Sequence, residues 1–344
     1  MKTFIKFNSV KNYKFFIDNV DDKHRFIFID VGAMGGIPLK WSGMMGAMKV
    51  IAFEPDLREF YKLKSNDKIK YLNYVLHDKS EDLKYYITAG HGNSSIFKPN
   101  VDILSQYDDE ERFQVIKESV ISSTRVRNLD SIIEEDDLAD IDFIKIDTQG
   151  SELNILKGAQ KKVIPKILGI QIEVEFIEMY KNQPVFRDVD EFMDKNGLQL
   201  MDLRRFYWKR KDFCNYNGKG QLIFGDALYF KKLNVLFQGL SEINDKLYGR
   251  SKIFKSILTC LVYKMFDYAV SIANLGLRLK YFNKDECESV ISEIQKYSAK
   301  GNFLDFCLNF KLYDMISLIL KKVKSRSYSK WAHSDREIGN VKDI

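Results

Sequence analysis

The chain has 344 residues, a formal net charge of +6 and 45% apolar residues, enough to bury a sizeable core. Residues 240–344 carry 18 Lys/Arg against 12 Asp/Glu, which is the whole of that charge, so residues 1–239 are neutral. A neutral first part argues against broad electrostatic binding of nucleic acid there. The basic residues gather near Lys321-Lys-Val-Lys-Ser-Arg326, which reads as a solvated helix end.

The amino terminus, Met1-Lys-Thr-Phe-Ile-Lys-Phe-Asn8, lacks the uninterrupted apolar run of a signal peptide. The best membrane-span candidate, 253–279, is broken by Lys255, Lys264, Asp267 and Arg278 and reads as an amphipathic helix. A cytoplasmic location follows as the expectation. Cys214, Cys260, Cys287 and Cys307 show no CxxC spacing, and reduced structural thiols are expected rather than disulfides or a metal site.

In chain order, apolar runs predict strands over 26–31, 49–53, 71–76, 142–146, 167–174 and 198–203, with helical patterns between them. Such alternation predicts an α/β fold, a mostly parallel sheet covered on both faces. Strand-like pieces at 84–87 and 123–126, with the charged stretch Asp108-Asp-Glu-Glu-Arg112, look inserted before the fourth core strand. Residues 221–231 read as a further strand after the turn Asn217-Gly-Lys-Gly220. From about residue 233 the pattern becomes helical, with Val290, Ile291, Ile294 and Tyr297 on one face. This predicts a first domain over 1–232, a helical C-terminal domain over 240–324 and a disordered tail over 325–344. The helical part is a candidate for binding a protein partner or a second copy.

Two junctions carry the chemistry. At the first, Asp30-Val-Gly-Ala-Met-Gly-Gly36 follows an apolar strand, and glycines at such a bend let backbone approach a ligand. Eighteen residues on, Ala52-Phe-Glu54-Pro55 ends the next strand in an acid placed to accept hydrogen bonds from ribose hydroxyls. A dinucleotide fingerprint starting at Gly32 needs glycine at Met34 and Ile37 and fails at both, whereas a methyltransferase-type turn wants an acid two residues before the first glycine, and Asp30 supplies it. Asp78, read at the end of the third strand, is a candidate for the adenine amino group, or else a loop carboxylate. At the second junction, Phe143–Ile146 runs into the turn 147–151 and a helical pattern restarts at Leu153, so Asp147 stands where a strand ends.

Phe28-Ile-Asp-Val-Gly-Ala33, Ala52-Phe-Glu-Pro55, Asn93-Ser-Ser95, Val126-Arg-Asn-Leu-Asp130 and Lys145-Ile-Asp-Thr-Gln-Gly-Ser-Glu-Leu-Asn-Ile-Leu-Lys-Gly-Ala159 together resemble the FkbM-type methyltransferases. Ile172-Glu-Val-Glu-Phe176, Tyr180 through Pro184 and Asp226-Ala-Leu-Tyr229 extend the likeness, which spans roughly residues 20–232. The resemblance implies a Rossmann-like class I methyltransferase fold, seven strands with the last antiparallel. It implies S-adenosylmethionine as methyl donor and a hydroxyl on a sugar, glycan or natural product as acceptor. By that likeness Asp30, Gly32, Ala33 and Gly36 would shape the methionine end of the donor site and Glu54 would hold the ribose. Met34 departs from the family's frequent Asn, and Gln149 from its common Glu.

An in-line methyl transfer to a hydroxyl calls for alignment, exclusion of water and a general base. Asp147 is the first candidate, with helix capping as its competing role. Glu173 and Glu175 come next, on one side of their strand, or else paired with Arg204 or Arg205. His91, in Gly90-His-Gly-Asn-Ser-Ser95, is a candidate lid base. A divalent metal on Asp147 and a strand-five carboxylate is chemically open, but no ligand spacing indicates one. Two other functions compete: an RNA methyltransferase, for which the basic tail is the sole support, and a scaffold in a polysaccharide assembly complex built on the C-terminal helices.

Overall fold

The computed structural model of the protein describes residues 13–135, 140–213, 218–299 and 331–335. Cys214, Cys307 and the basic run 321–326 lie outside the described residues.

Seven strands make the central sheet: β1 (Phe26–Val31), β2 (Met48–Phe53), β3 (Ile69–Leu72), β4 (Phe143–Ile146), β5 (Gly169–Glu175), β6 (Leu198–Trp208) and β7 (Gln221–Lys231). An eighth, β8 (Ala332–Ser334), pairs with the outer edge of β6, so part of the stretch expected to be a disordered tail is a strand. The spatial order is β8-β6-β7-β5-β4-β1-β2-β3. Strands β1 to β5 run parallel, and β7 lies antiparallel between β5 and β6. This is the class I methyltransferase arrangement, with its chain reversal between β1 and β4, where open α/β sheets bind ligands.

Strand alternation sorts the two faces. Ile29, Val31, Ile144, Ile146, Ile170, Ile172 and Val174 form one core with residues of α1 (Leu129–Glu135), α2 (Glu152–Lys157) and α3 (Phe186–Lys195). The opposite face presents Phe28, Val50, Ala52, Phe143 and Phe230. Near its upper edge, register puts Asp30 beside Lys145, Lys145 beside Gln171, and Glu173 beside Asp226.

This second face is covered differently from what alternation predicts. Between β1 and β2 there is no α-helix, only a 3-10 turn, Leu39–Met44, that buries Trp41 and Met44. Gly35 and Gly36 take left-handed backbone angles (φ +81° and +86°) and Pro38 follows, so little chain remains for a helix. The cover comes from far along the sequence: α5 (Lys246–Val262) packs Ile253, Phe254, Ile257 and Leu261 against it, flanked by α4 (Leu233–Ser241), α6 (Phe266–Arg278) and α7 (Lys284–Ala299). Thirteen of the seventeen residues of α5 are buried. The helical region begins near residue 233, as the pattern indicates, and shares one hydrophobic core with the sheet.

Two shorter pairings stand beside the sheet. Leu83–Thr88 runs antiparallel to Val115–Ile121, and Val75–Leu76 pairs with Val126–Arg127. The run 71–76 is therefore two elements. It breaks at Asn73, whose side-chain amide donates to the carbonyls of Glu54 (2.7 Å) and Pro55 (3.2 Å). Residues 123–125, read as part of a strand, form a 3-10 turn capped by Ser122.

Candidate active site at the strand ends

A cleft opens at the carboxyl ends of β1, β2 and β4. Gly32, Glu54, Lys145, Asp147 and Gln149 line its floor and sides, and Met34, Tyr85, His91, Ser94 and Ile96 bound it above. The inserted segment between β3 and β4 thus supplies one wall.

Gly32 has φ +77°, and a Cβ there would lie 1.9 Å from the Asp147 carbonyl oxygen. Glycine is demanded here by the neighbouring loop, and its absence of side chain is what lets the ends of β1 and β4 meet. Asp30, two residues earlier on β1, is fully buried, with neither carboxylate oxygen hydrogen-bonded among the described residues. The Lys145 ammonium lies 3.3 Å from Asp30 Oδ1 and 3.6 Å from Asp147 Oδ2, and donates to the Gly32 carbonyl at 3.3 Å. Burial raises the Asp30 carboxyl to about 6 in spite of the neighbouring Lys145. Burial also works against a charged Lys145, but the flanking Asp30 and Asp147 outweigh it and its pKa is raised.

Glu54 reaches the cleft from the end of β2, with Oε1 accepting from the Asp56 amide at 2.9 Å. Burial, reinforced by Asp56 and Glu59, lifts it to about 7 although the Asp56 amide pulls the other way. Asp147 keeps a 38% exposed side chain at the floor. It does not cap α2: there Glu152 Oε1 accepts from the Thr148 amide (2.8 Å) and hydroxyl (3.0 Å).

Glu173 lies behind the cleft. Gln149, in a left-handed conformation (φ +60°), donates from Nε2 to Glu173 Oε1 at 2.5 Å, and its Oε1 accepts from the Tyr180 hydroxyl at 2.9 Å. Burial first, then Asp147 and other carboxylates, pushes Glu173 well above its usual range, and burial does the same to Glu175. Of the two arginines, Arg204 Nη1 lies 3.6 Å from Asp226 and Arg205 Nε 2.7 Å from Asp335. His91 borders the cleft, with Nδ1 2.5 Å from Glu59 Oε1.

Gly32, Glu54, Asp147 and His91 therefore share one cleft, with Asp30 directly under it. Ala33 is buried, its amide held by the Phe53 carbonyl at 3.1 Å, and Gly36 sits beside Tyr71, outside the lining. Asp78 is also outside it. Its carboxylate is 3.0 Å from His77 Nδ1 and accepts from Asn154 at 3.4 Å, whereas Tyr74, Val75 and Leu76 just before it line the cleft. Lys145 is the residue that reading by type did not single out; once β1 and β4 are placed side by side, the facing pair Asp30–Lys145 gives it away. No group of three or more His, Cys, Asp or Glu able to hold a metal occurs among the described residues, and no helix among them is long and apolar enough to cross a membrane.

Strand order together with a family match makes the protein a methyltransferase of the S-adenosylmethionine-dependent class. Residues 30–200 match the Methyltransferase FkbM domain, and the chain belongs to that family. It is 22% identical over 168 residues to the 2-O-methyltransferase NoeI of Sinorhizobium fredii, covering 47% of this chain and 69% of that protein. Among solved structures, precorrin-6y C5,15-methyltransferase of Geobacter metallireducens is similar at 10% identity and a TM-score of 0.32, covering 63% of this chain and 85% of that one. A putative tRNA (m1A22) methyltransferase of Streptococcus pneumoniae follows at 13% and 0.31, covering 83% and 95%. These structural likenesses are too loose to bear on donor or acceptor.

Proposed function

We propose that the protein transfers a methyl group from S-adenosylmethionine to a hydroxyl of a sugar or glycan precursor. One observation carries this reading: Glu54 and Asp147, from the ends of β2 and β4, face the same cleft, with buried Asp30, ion-paired with Lys145, beneath. These residues suit the donor. Glu54 offers an acceptor to ribose hydroxyls, and Asp30 a buried carboxylate to the ammonium end. When bound, the donor supplies a methyl carbon activated by the sulfonium.

The chain's own part is alignment, exclusion of water and removal of one proton. Asp147 is the proton acceptor, since it is the partly exposed carboxylate on the cleft floor, whereas Glu173 is tied to Gln149 behind it. Glu173 and Gln149 act through Asp147: Gln149 Nε2 lies 3.5 Å from Asp147 Oδ1 and steadies it. Oxygen as the methylated atom is supported by the relative named a 2-O-methyltransferase.

The test is incubation with methyl-labelled S-adenosylmethionine and a panel of oligosaccharides, followed by hydrolysis and sugar analysis. Label is expected as a methyl ether on a sugar oxygen. Label appearing only in RNA or protein would refute the acceptor class.

A further inference from the structure

We infer that Lys145 is a positioning residue that fixes the Asp30 and Asp147 carboxylates on the two sides of the cleft floor and keeps Asp30 ionised for the donor's ammonium end. This rests on the reading of the cleft as an adenosyl-donor site. Lys145 is the middle strand position of a three-way contact: Asp30 Oδ1 at 3.3 Å on β1, Asp147 Oδ2 at 3.6 Å past the end of β4, and the Gly32 carbonyl at 3.3 Å on the glycine turn. One ammonium therefore ties together the donor-side acid, the acceptor-side base and the loop between them. Its own side chain is 16% exposed and that of Asp30 1%, so water screens the contact between them little. The approach to Asp30 is an ion pair without hydrogen-bond alignment, and neither Asp30 oxygen accepts a hydrogen bond among the described residues.

The charged and titratable groups facing this point come from every neighbouring element. They are Asp30 on β1, Glu54 past β2, Tyr71 on β3, Asp147 past β4, Asp226 on β7 and Tyr263 after α5. A second cation, Lys40 on the 3-10 turn after β1, stands over the Tyr263 ring at 4.9 Å, donates to Gln171 Oε1 at 3.2 Å and acts on Asp226. Lys145 is the cation in contact with Asp30, and it lowers the proton affinity of that carboxyl against burial. Replacing it by a neutral side chain must raise that affinity.

The experiment is calorimetric titration with S-adenosylhomocysteine between pH 5 and 8.5. The proteins are wild type, Lys145→Gln, Lys145→Arg, Asp30→Asn and the double variant Lys145→Gln/Asp30→Asn. Glu54 titrates in the same range, so the step to follow is the one that Asp30→Asn abolishes. In Lys145→Gln its midpoint should move up by about 1–2 pH units, the effect of removing an adjacent opposite charge. Lys145→Arg should hold the wild-type midpoint. A purely structural lysine would change thermal stability and leave the midpoint in place, and that result would overturn the inference. Should Lys145→Gln fail to fold, the double variant, which removes both charges, should recover a cooperative fold, because the lost folding then comes from the uncompensated Asp30 charge; a double variant that stays unfolded would also overturn it. Wild type that does not bind at any pH would instead remove the donor reading itself.

Discussion

The sheet carries two buried Asp–Lys clusters, one at each edge, and they are built to opposite rules. At the lower edge, before β4, Asp142 accepts from the Ile27 amide (2.9 Å), Lys255 (2.9 Å) and Lys252 (3.2 Å). Asp140 accepts from the Tyr248 hydroxyl and from Lys252 at 3.1 Å, leaving its second oxygen unpartnered. Burial opposes the charged form of Asp140, yet Lys252 and its hydrogen bonds hold it below the usual carboxylate range. At the upper edge, Asp30 has a cation nearby but no hydrogen bond, and its carboxyl is driven up to about 6. Asp142 accepts three hydrogen bonds from its own chain and anchors structure, whereas Asp30 accepts none among the described residues and has only the ion pair with Lys145 to set against its burial. The lower cluster clamps α5 to the sheet, and the upper one faces the cleft.

Breaking the lower cluster should cost the most. Asp142→Asn leaves two buried lysines with reduced compensation, and about 3–5 kcal/mol of stability should be lost in denaturant unfolding. Donor affinity of the folded fraction should stay near wild type. Asp147→Asn should slow methyl transfer by about 10²–10⁴-fold, the range of a general base, with S-adenosylhomocysteine affinity nearly unchanged. Steady-state kinetics beside calorimetry separates the two, and full activity would exclude Asp147 as base.

A smaller effect concerns Glu54 and stability. Its folded pKa, about 7, lies above the unfolded carboxylate value, so the folded state holds the proton more tightly. Its contribution is fully present below the unfolded pKa, near 4, and is lost as pH rises through 7. Glu54→Gln should therefore stabilise the protein by about 1–2 kcal/mol at pH 8, with the gain vanishing below about pH 4. A melting-temperature series against pH reads this directly. The smallest change belongs to His91→Ala, which lies at the rim with a 44% exposed side chain. It should alter S-adenosylhomocysteine affinity by less than about threefold, as a surface position does.

Most of the sheet is legible because β1, β4, β5 and β7 are apolar runs bounded by turns, and those strand ends place Asp30, Glu54 and Asp147 together. What is hidden depends on contacts between distant residues. The cover of the Phe28–Phe143 face comes from α5, over a hundred residues past β4, and local periodicity does not say which face a helix will meet. The split of the third strand falls at Asn73, which bonds to the carbonyls of Glu54 and Pro55, a tertiary contact that local pattern does not reveal. Lys145 reads as an ordinary strand residue until the β1–β4 register is known.

The cleft's reading as a donor site can be tested without knowing the acceptor, by titrating wild type and Glu54→Ala with S-adenosylhomocysteine at pH 8 in a calorimeter. Wild type should bind, and the variant should lose about 1.5–3 kcal/mol, the worth of a hydrogen bond to a charged group. A wild type that releases no heat of binding, or a variant as tight as wild type, would contradict it.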